Sequence, residues 1–149
     1  MFSFIGLCSA LAFTSCAEQR LAHKVEKRYG ISYKALCDTA TAMNLRDMKL
    51  RVVPNSICNC SNLQYLDLSQ NDIIHLPKHI GKLARLGELQ INHTAIRYLP
   101  NSITDLDSLR RINAIYSNIM ALPDSVGKLK LEALNLNGTH ITRLPSSIF

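Results

Sequence analysis

The stretch LQYLDLSQNDIIHLPKHIGKLAR, residues 63–85, decides the fold. Leucine or isoleucine stands at 63, 66, 68, 73, 76, 80 and 83. An amphipathic helix places apolar residues every third or fourth position and a strand every second, so neither alone holds this spacing on one face. The pattern returns along the chain with a period of 23. Units begin at Ala40, Leu63, Leu86, Leu109 and Leu131, the fourth one residue short. All five prolines, at 54, 77, 100, 123 and 145, fall at the same place in these units.

Each unit divides into two pieces. Leu63, Leu66 and Leu68, like Leu86, Leu89 and Ile91 or Leu131, Leu134 and Leu136, leave one polar residue between the last two apolar ones and predict a short strand. Ile73, Leu76, Ile80 and Leu83 are spaced more widely around a proline that fixes φ and pushes its predecessor into extended backbone. A single helical turn is predicted after it, in PNSI, PKHI, PDSV and PSSI, with proline as its first residue. One unit cannot bury its own apolar side chains and must stack on copies, at the ~4.8 Å strand spacing. The strands then form a parallel sheet on the inside of a curve and the wider pieces form its outside.

The consensus LxxLxLxxNxIxxLPxxIxxLxx across residues 40–149 resembles the leucine-rich repeat family in its LP-containing form. The resemblance implies an α/β solenoid: a curved parallel sheet on the concave face, short helical or 3-10 turns on the convex face, and recognition of a protein or peptide ligand. The family's asparagine, which satisfies buried backbone inside the turn, stands only at Asn71. Thr94, Ser117 and Thr139 replace part of it; Met48 does not, so the first repeat is expected to be distorted and closed by other bonds.

Residues 17–39 break the period. Leu21, Val25 and Leu36 suggest amphipathic helical turns interrupted at Tyr29-Gly30, with Ser32 as an N-cap, and predict a lid over the first repeat. The sequence closes at Phe149 inside the fifth repeat, so Leu134, Leu136 and Leu144 are expected to keep one side unpacked. Residues 1–15, MFSFIGLCSALAFTS, hold no charged side chain, and the run is too short to span a bilayer. FTSC, residues 13–16, resembles the lipobox of bacterial lipoproteins, with Phe13 where leucine is usual. That resemblance implies a signal peptide at 1–15, lipid on Cys16, a cap at 16–39 and the repeat domain at 40–149, at a cell-envelope membrane. A plain secretory signal or a buried N-terminal helix are the other readings. Of the remaining cysteines, Cys37 pairs with Cys58 or Cys60, or all three stay as buried thiols.

The chain is 47% hydrophobic with mean hydropathy +0.04, enough for one core. Its net charge is +6 and does not form one patch: residues 18–51 carry eight basic and four acidic groups, residues 63–149 nine and seven, so the repeat region is nearly balanced. No basic stripe interleaved with aromatics points to nucleic acid. His75, His79, His93 and His140 fall at four different places in the unit, so no metal site is expected, and a zinc site would want another cysteine spacing and a fourth ligand. His23 with Cys37 lacks an orienting group, and the six glycines are scattered rather than gathered in a phosphate loop. No catalytic residues and no cofactor are expected.

The concave face should carry three columns: Ala42, Tyr65, Glu88, Arg111 and Ala133; Asn44, Asp67, Gln90, Asn113 and Asn135; Arg46, Ser69, Asn92, Ile115 and Asn137. The amides of the middle column are expected to bond one another along the stack. Glu88 and Arg111 should pair. In the fourth unit Ala114 takes a core position, which leaves Ile115 and Tyr116 outward as an apolar spot or turns Ile115 inward in a bulge. The residues expected to meet a partner are Tyr65, Asp67, Gln90, Arg111, Asn113, Ile115 and Tyr116. LNLNGTHITRLPSSI also resembles the repeats of intracellular eukaryotic scaffolds and plant immune receptors, which implies a cytosolic recognition fragment as the alternative.

Overall fold

The computed structural model describes residues 15–149. The signal segment expected at 1–15 therefore lies, except for Ser15, outside the described residues. Two helices, α1 (Cys16–Tyr29) and α2 (Tyr33–Thr39), precede five three-residue strands: β1 (Ala42–Asn44), β2 (Tyr65–Asp67), β3 (Glu88–Gln90), β4 (Arg111–Asn113) and β5 (Ala133–Asn135). The strands pair in parallel in chain order, with Met43, Leu66, Leu89, Ile112 and Leu134 side by side. Each lies 23 residues from the last, or 22 at the short unit, so the period of the sequence is the register of the sheet.

Three of the prolines sit one place earlier than expected, and Pro77 and Pro123 lie three places before the 3-10 helices Ile80–Lys82 and Val126–Lys128. Pro54, Pro100 and Pro145 are extended residues preceding the 3-10 helices Asn55–Asn59, Asn101–Asp105 and Ser146–Ile148, rather than their first helical residues. In all five repeats the proline carbonyl accepts from the amide three residues on, at Ile57, Ile80, Ile103, Val126 and Ile148. Proline suits a place that needs an acceptor and no donor. The missing residue of the fourth unit is taken from the return to the sheet. There Leu129 is extended (φ −71°, ψ 139°), whereas Cys60, Leu83 and Leu106 at the same place in their units have ψ between 61° and 80° and precede a further turn in which Leu63, Leu86 and Leu109 donate back to their carbonyls.

After every strand the chain turns through a left-handed residue at one repeat position: Asp47, Gln70, His93, Tyr116 and Gly138, with φ between 49° and 71°. This leaves a carbonyl facing the core at Leu68, Ile91, Ala114 and Leu136, and the side chain three residues on donates to it: Asn71 (2.8 Å), Thr94 (2.9 Å), Ser117 (2.8 Å) and Thr139 (2.7 Å). The first repeat is distorted as expected, with a second left-handed residue at Lys49. Met48 supplies no polar group, and Asn71 reaches back one coil: its Oδ1 accepts from the amides of Met48 and Leu50, and its Nδ2 donates to Leu45 O.

Leu21, Val25 and Leu36 are buried over this first coil. α1 carries a capping box between Ser15 and Glu18 and ends at Gly30; Ser32 caps α2. The lid also finishes the edge of the sheet. Tyr29 Oη bonds both N–H and C=O of Asn44, the Arg28 guanidinium donates to Asn44 O and Arg46 O, and Lys24 Nζ donates to Met48 O. Of the two pairings left open, Cys37–Cys60 forms, and Cys58 is a buried thiol whose pKa burial pushes up to about 11. The separation of 23 places α2 in the register of a preceding repeat. At the other end Leu131, Leu134, Leu136, Ile141 and Ile148 are only partly buried, and Leu144 is 44% exposed.

Asn71 serves two coils, so Asn71→Ala leaves at least two buried amides and two buried carbonyls without their partner. At about 1–3 kcal/mol per stranded group, partly relieved by water, the variant should lose at least about 3 kcal/mol in denaturant unfolding. Asn71→Thr, which mimics Thr94, should retain the bond to Leu68 O but not those to the first coil, and fall between.

Candidate functional site

The concave face is the outer side of β1–β5. Backbone groups on it are consumed. Alternate amides beyond each strand, such as Leu68, Gln70, Ile91 and His93, donate to the next coil. The amides between them take side-chain acceptors: Arg46 N from Asn44 Oδ1, Ser69 N from Asp67 Oδ1, Asn92 N from Ser69 Oγ, Ile115 N from Asn92 Oδ1 and Asn137 N from Asn135 Oδ1. The middle column is therefore not the amide ladder expected from sequence. Asn44, Asp67 and Asn135 turn onto the backbone two residues ahead, because that N–H has no other acceptor.

The fourth strand departs from this rule. Asn92 has already taken the Ile115 amide, so Asn113 is displaced from its usual acceptor role. Among the described residues, Asn113 Oδ1 is the buried side-chain N or O atom with no hydrogen-bond partner. Beside it, Gln90 is held by Glu88 (2.7 Å) and Asn92 (3.0 Å). Asp67 is 5% exposed, so it lies beneath the face rather than on it.

Glu88 and Arg111 pair as expected, at 3.0 Å, and Glu132 adds a second carboxylate at 3.4 Å. The Arg111 guanidinium holds the Glu88 carboxyl below its ordinary pKa, against a smaller opposing effect of burial. Burial, then the negative charges of Asp67 and Glu88, raise the Tyr65 phenol above its ordinary value. An open hollow of about 360 Å3 lies among Tyr65, Gly87, Glu88, Arg111 and Glu132.

No bulge forms in the fourth unit. The register holds through Asn113, Ala114 is fully buried, and Ile115 stays half-buried on the outside. Ile115 and Tyr116 lie beyond the end of β4, so they border the sheet rather than stand on it. Tyr116 is 63% exposed, its ring centroid 5.2 Å from that of His93. A Cβ on Gly138 would lie 2.3 Å from the Tyr116 ring, so this glycine both accepts the left-handed turn and admits the ring. Sequence reading placed Asn92 on the face but not among the contact residues, and missed His93 and Glu132. His93 was findable, since it precedes Tyr116 by one full period.

A family model described as a leucine-rich repeat region matches residues 43–117, 75 of the 149 residues. The chain belongs to the leucine-rich repeat family. A leucine-rich repeat protein of Leptospira interrogans is similar at 26% identity and TM-score 0.65, over 80% of this chain and 37% of its own. A TDR receptor is 30% identical, with TM-score 0.63, over 71% of this chain and 20% of its own. InlP of Listeria monocytogenes is 26% identical, with TM-score 0.57, over 66% and 28%. The chain thus spans little more than a third, at most, of these structures' length. No curated protein matches it. The family and these similar structures support a protein-interaction module.

The Glu88 pKa is lowered on folding, so its pairing contributes stability above the unfolded carboxyl value of about 4.3, lost as pH falls through the lower folded value. Arg111→Ala should move the Glu88 titration midpoint upward toward that ordinary value, read by carboxyl NMR. An unchanged midpoint would show that Arg111 does not hold it.

Proposed function

We propose that this module is non-catalytic, that it takes an extended segment of a partner protein across its concave face, and that it is held at a bacterial envelope membrane through lipid on Cys16. Asn113 Oδ1 carries the first half of this reading: a buried acceptor with no donor, in the middle of the face. Such a group costs about 1–3 kcal/mol while unpaired, and a backbone or side-chain N–H of a ligand removes that cost. Tyr65 and Arg111 share a column two strands apart, ~10 Å by sheet spacing, and flank the open hollow. Binding energy at such surfaces gathers in aromatic residues and arginine. Gln90 and Asn113 supply the hydrogen bonds, Ile115 and Tyr116 the apolar border, and Asp67 acts from beneath Tyr65.

The FTSC motif supports the anchor, together with the exposure of Cys16 at the first residue of α1. Maturation before Cys16 would remove the Ser15 cap, at about 1 kcal/mol. Three acyl chains contribute ~0.8 kcal/mol per buried CH2, which far outweighs that loss. Among the described residues no helix is long and apolar enough to cross a membrane.

Partner capture from an envelope extract should fail with Tyr65→Ala plus Arg111→Ala while the variant still unfolds cooperatively with at most a small fall in melting temperature, and persist with Lys78→Glu plus Lys82→Glu on the outer turns. Loss only in the lysine variant would move the site to the convex face. In cell fractionation the wild type should pellet with membranes and Cys16→Ala should appear as a full-length precursor. Both remaining soluble at precursor length would end the anchoring proposal.

A further inference from the structure

The N-terminal charge excess has a place in the fold. α1 sets Arg20 and Lys24 one turn apart on one face, and the loop after β1 brings Lys49 and Arg51 against them. Together with Cys16 and Val52 they line a hollow of about 290 Å3 that no carboxylate lines. The loop is held in position: Asn71 Oδ1 takes the amides of Met48 and Leu50, Lys24 Nζ is bonded to Met48 O, and Lys49 is held at φ 51°. Arg20, Lys49 and Arg51 are exposed, and none of the four cations forms an ion pair among the described residues. Like charges gathered one helical turn apart and across a loop oppose folding, and among the described residues the salt bridges involve none of them. Val52, an apolar side chain 57% exposed, stands beside them.

From this cluster we infer that the Arg20–Lys24–Lys49–Arg51 hollow is a docking surface for the headgroups of an anionic phospholipid bilayer. The inference rests on the membrane reading above in one respect, the position of Cys16. At a rise of ~1.5 Å per residue Arg20 lies ~6 Å and Lys24 ~12 Å along α1 from Cys16. A lipid on Cys16 therefore brings Arg20 within a screening length, ~8–10 Å, of the phosphates and Lys24 just beyond it. Charge complementarity selects an anionic surface, and Val52 offers an apolar contact at its boundary. A nucleic acid fits less well. No aromatic side chain lines the hollow, and the repeats beyond it carry nearly balanced charge, so a polyanion finds no track.

The test uses the full chain carrying Cys16→Ser, so that lipid plays no part, in co-sedimentation with phosphatidylglycerol-containing or pure phosphatidylcholine vesicles at low and high salt. Binding to the anionic vesicles should exceed binding to the neutral ones by about tenfold or more, and high salt should abolish the difference. Arg20→Glu with Lys49→Glu and Arg51→Glu should remove the preference. Lys78→Glu with Lys82→Glu and Lys128→Glu, the same change in net charge placed elsewhere, should retain it. Should the first triple variant melt early, Arg20→Gln with Arg51→Gln replaces it and should weaken binding about tenfold. Equal binding by the hollow variants and the parent, equal loss in the control, or retention on an oligonucleotide without vesicle binding would each overturn the inference. Failure of fractionation with intact vesicle binding would instead remove the lipid anchor and leave the docking surface.

Discussion

Every coil of this solenoid must reverse inside its own core, and each reversal turns a carbonyl inward, out of reach of water in all but the last coil. That constraint governs the residues around it. A left-handed residue makes the bend, and a polar side chain three places later answers the carbonyl. Threonine and serine do the minimum, with one hydroxyl for one oxygen. Asn71 carries both a donor and an acceptor group, and can therefore close its own coil and the first one, where methionine stands.

A stack of identical coils has a second constraint, its ends. The first strand would present unpaired backbone to water, which is both a loss of stability and a template for aggregation. α1 resolves this with three side chains on one stripe, Lys24, Arg28 and Tyr29, that take the place of a missing strand. α2 joins the stack through Cys37–Cys60, a closure of 23 residues worth about 3 kcal/mol in the chain-entropy account. The same arrangement that secures the edge assembles the basic hollow, since Lys24 and the Met48–Leu50 loop belong to both.

On the concave face, full use of the backbone has a functional consequence. With the ladder and its side-chain acceptors complete, recognition is left to side chains, and their mutual bonds decide which remain available. Arg111 is shared between two carboxylates, Gln90 is held at both ends, and among the described residues Asn113 alone keeps a buried side-chain acceptor open. Tyr116 occupies a left-handed position that costs a non-glycine residue of order 1 kcal/mol. It is stacked on His93 and roofed by a glycine, so the strain places a largely exposed aromatic ring at the border of the face.

By itself the sequence determined the architecture, because in a stack of equal coils counting substitutes for geometry: residues one period apart are neighbours. The strands, their register, the Glu88–Arg111 pair, the outward Ile115 and the distortion at Met48 were all legible in that way. Tertiary structure alone decided what crosses the period. Cys60 rather than Cys58 meets Cys37, since the 3-10 turn points Cys58 into the core as a thiol. Three of the middle-column side chains, Asn44, Asp67 and Asn135, cap the backbone two residues ahead of them instead of one another, since the amide there has no other acceptor. Glu132 joins Arg111 from a neighbouring column, and four cations separated by up to 31 residues converge beside Cys16. These contacts depend on side-chain direction and on competition for donors and acceptors, neither of which a one-dimensional spacing records.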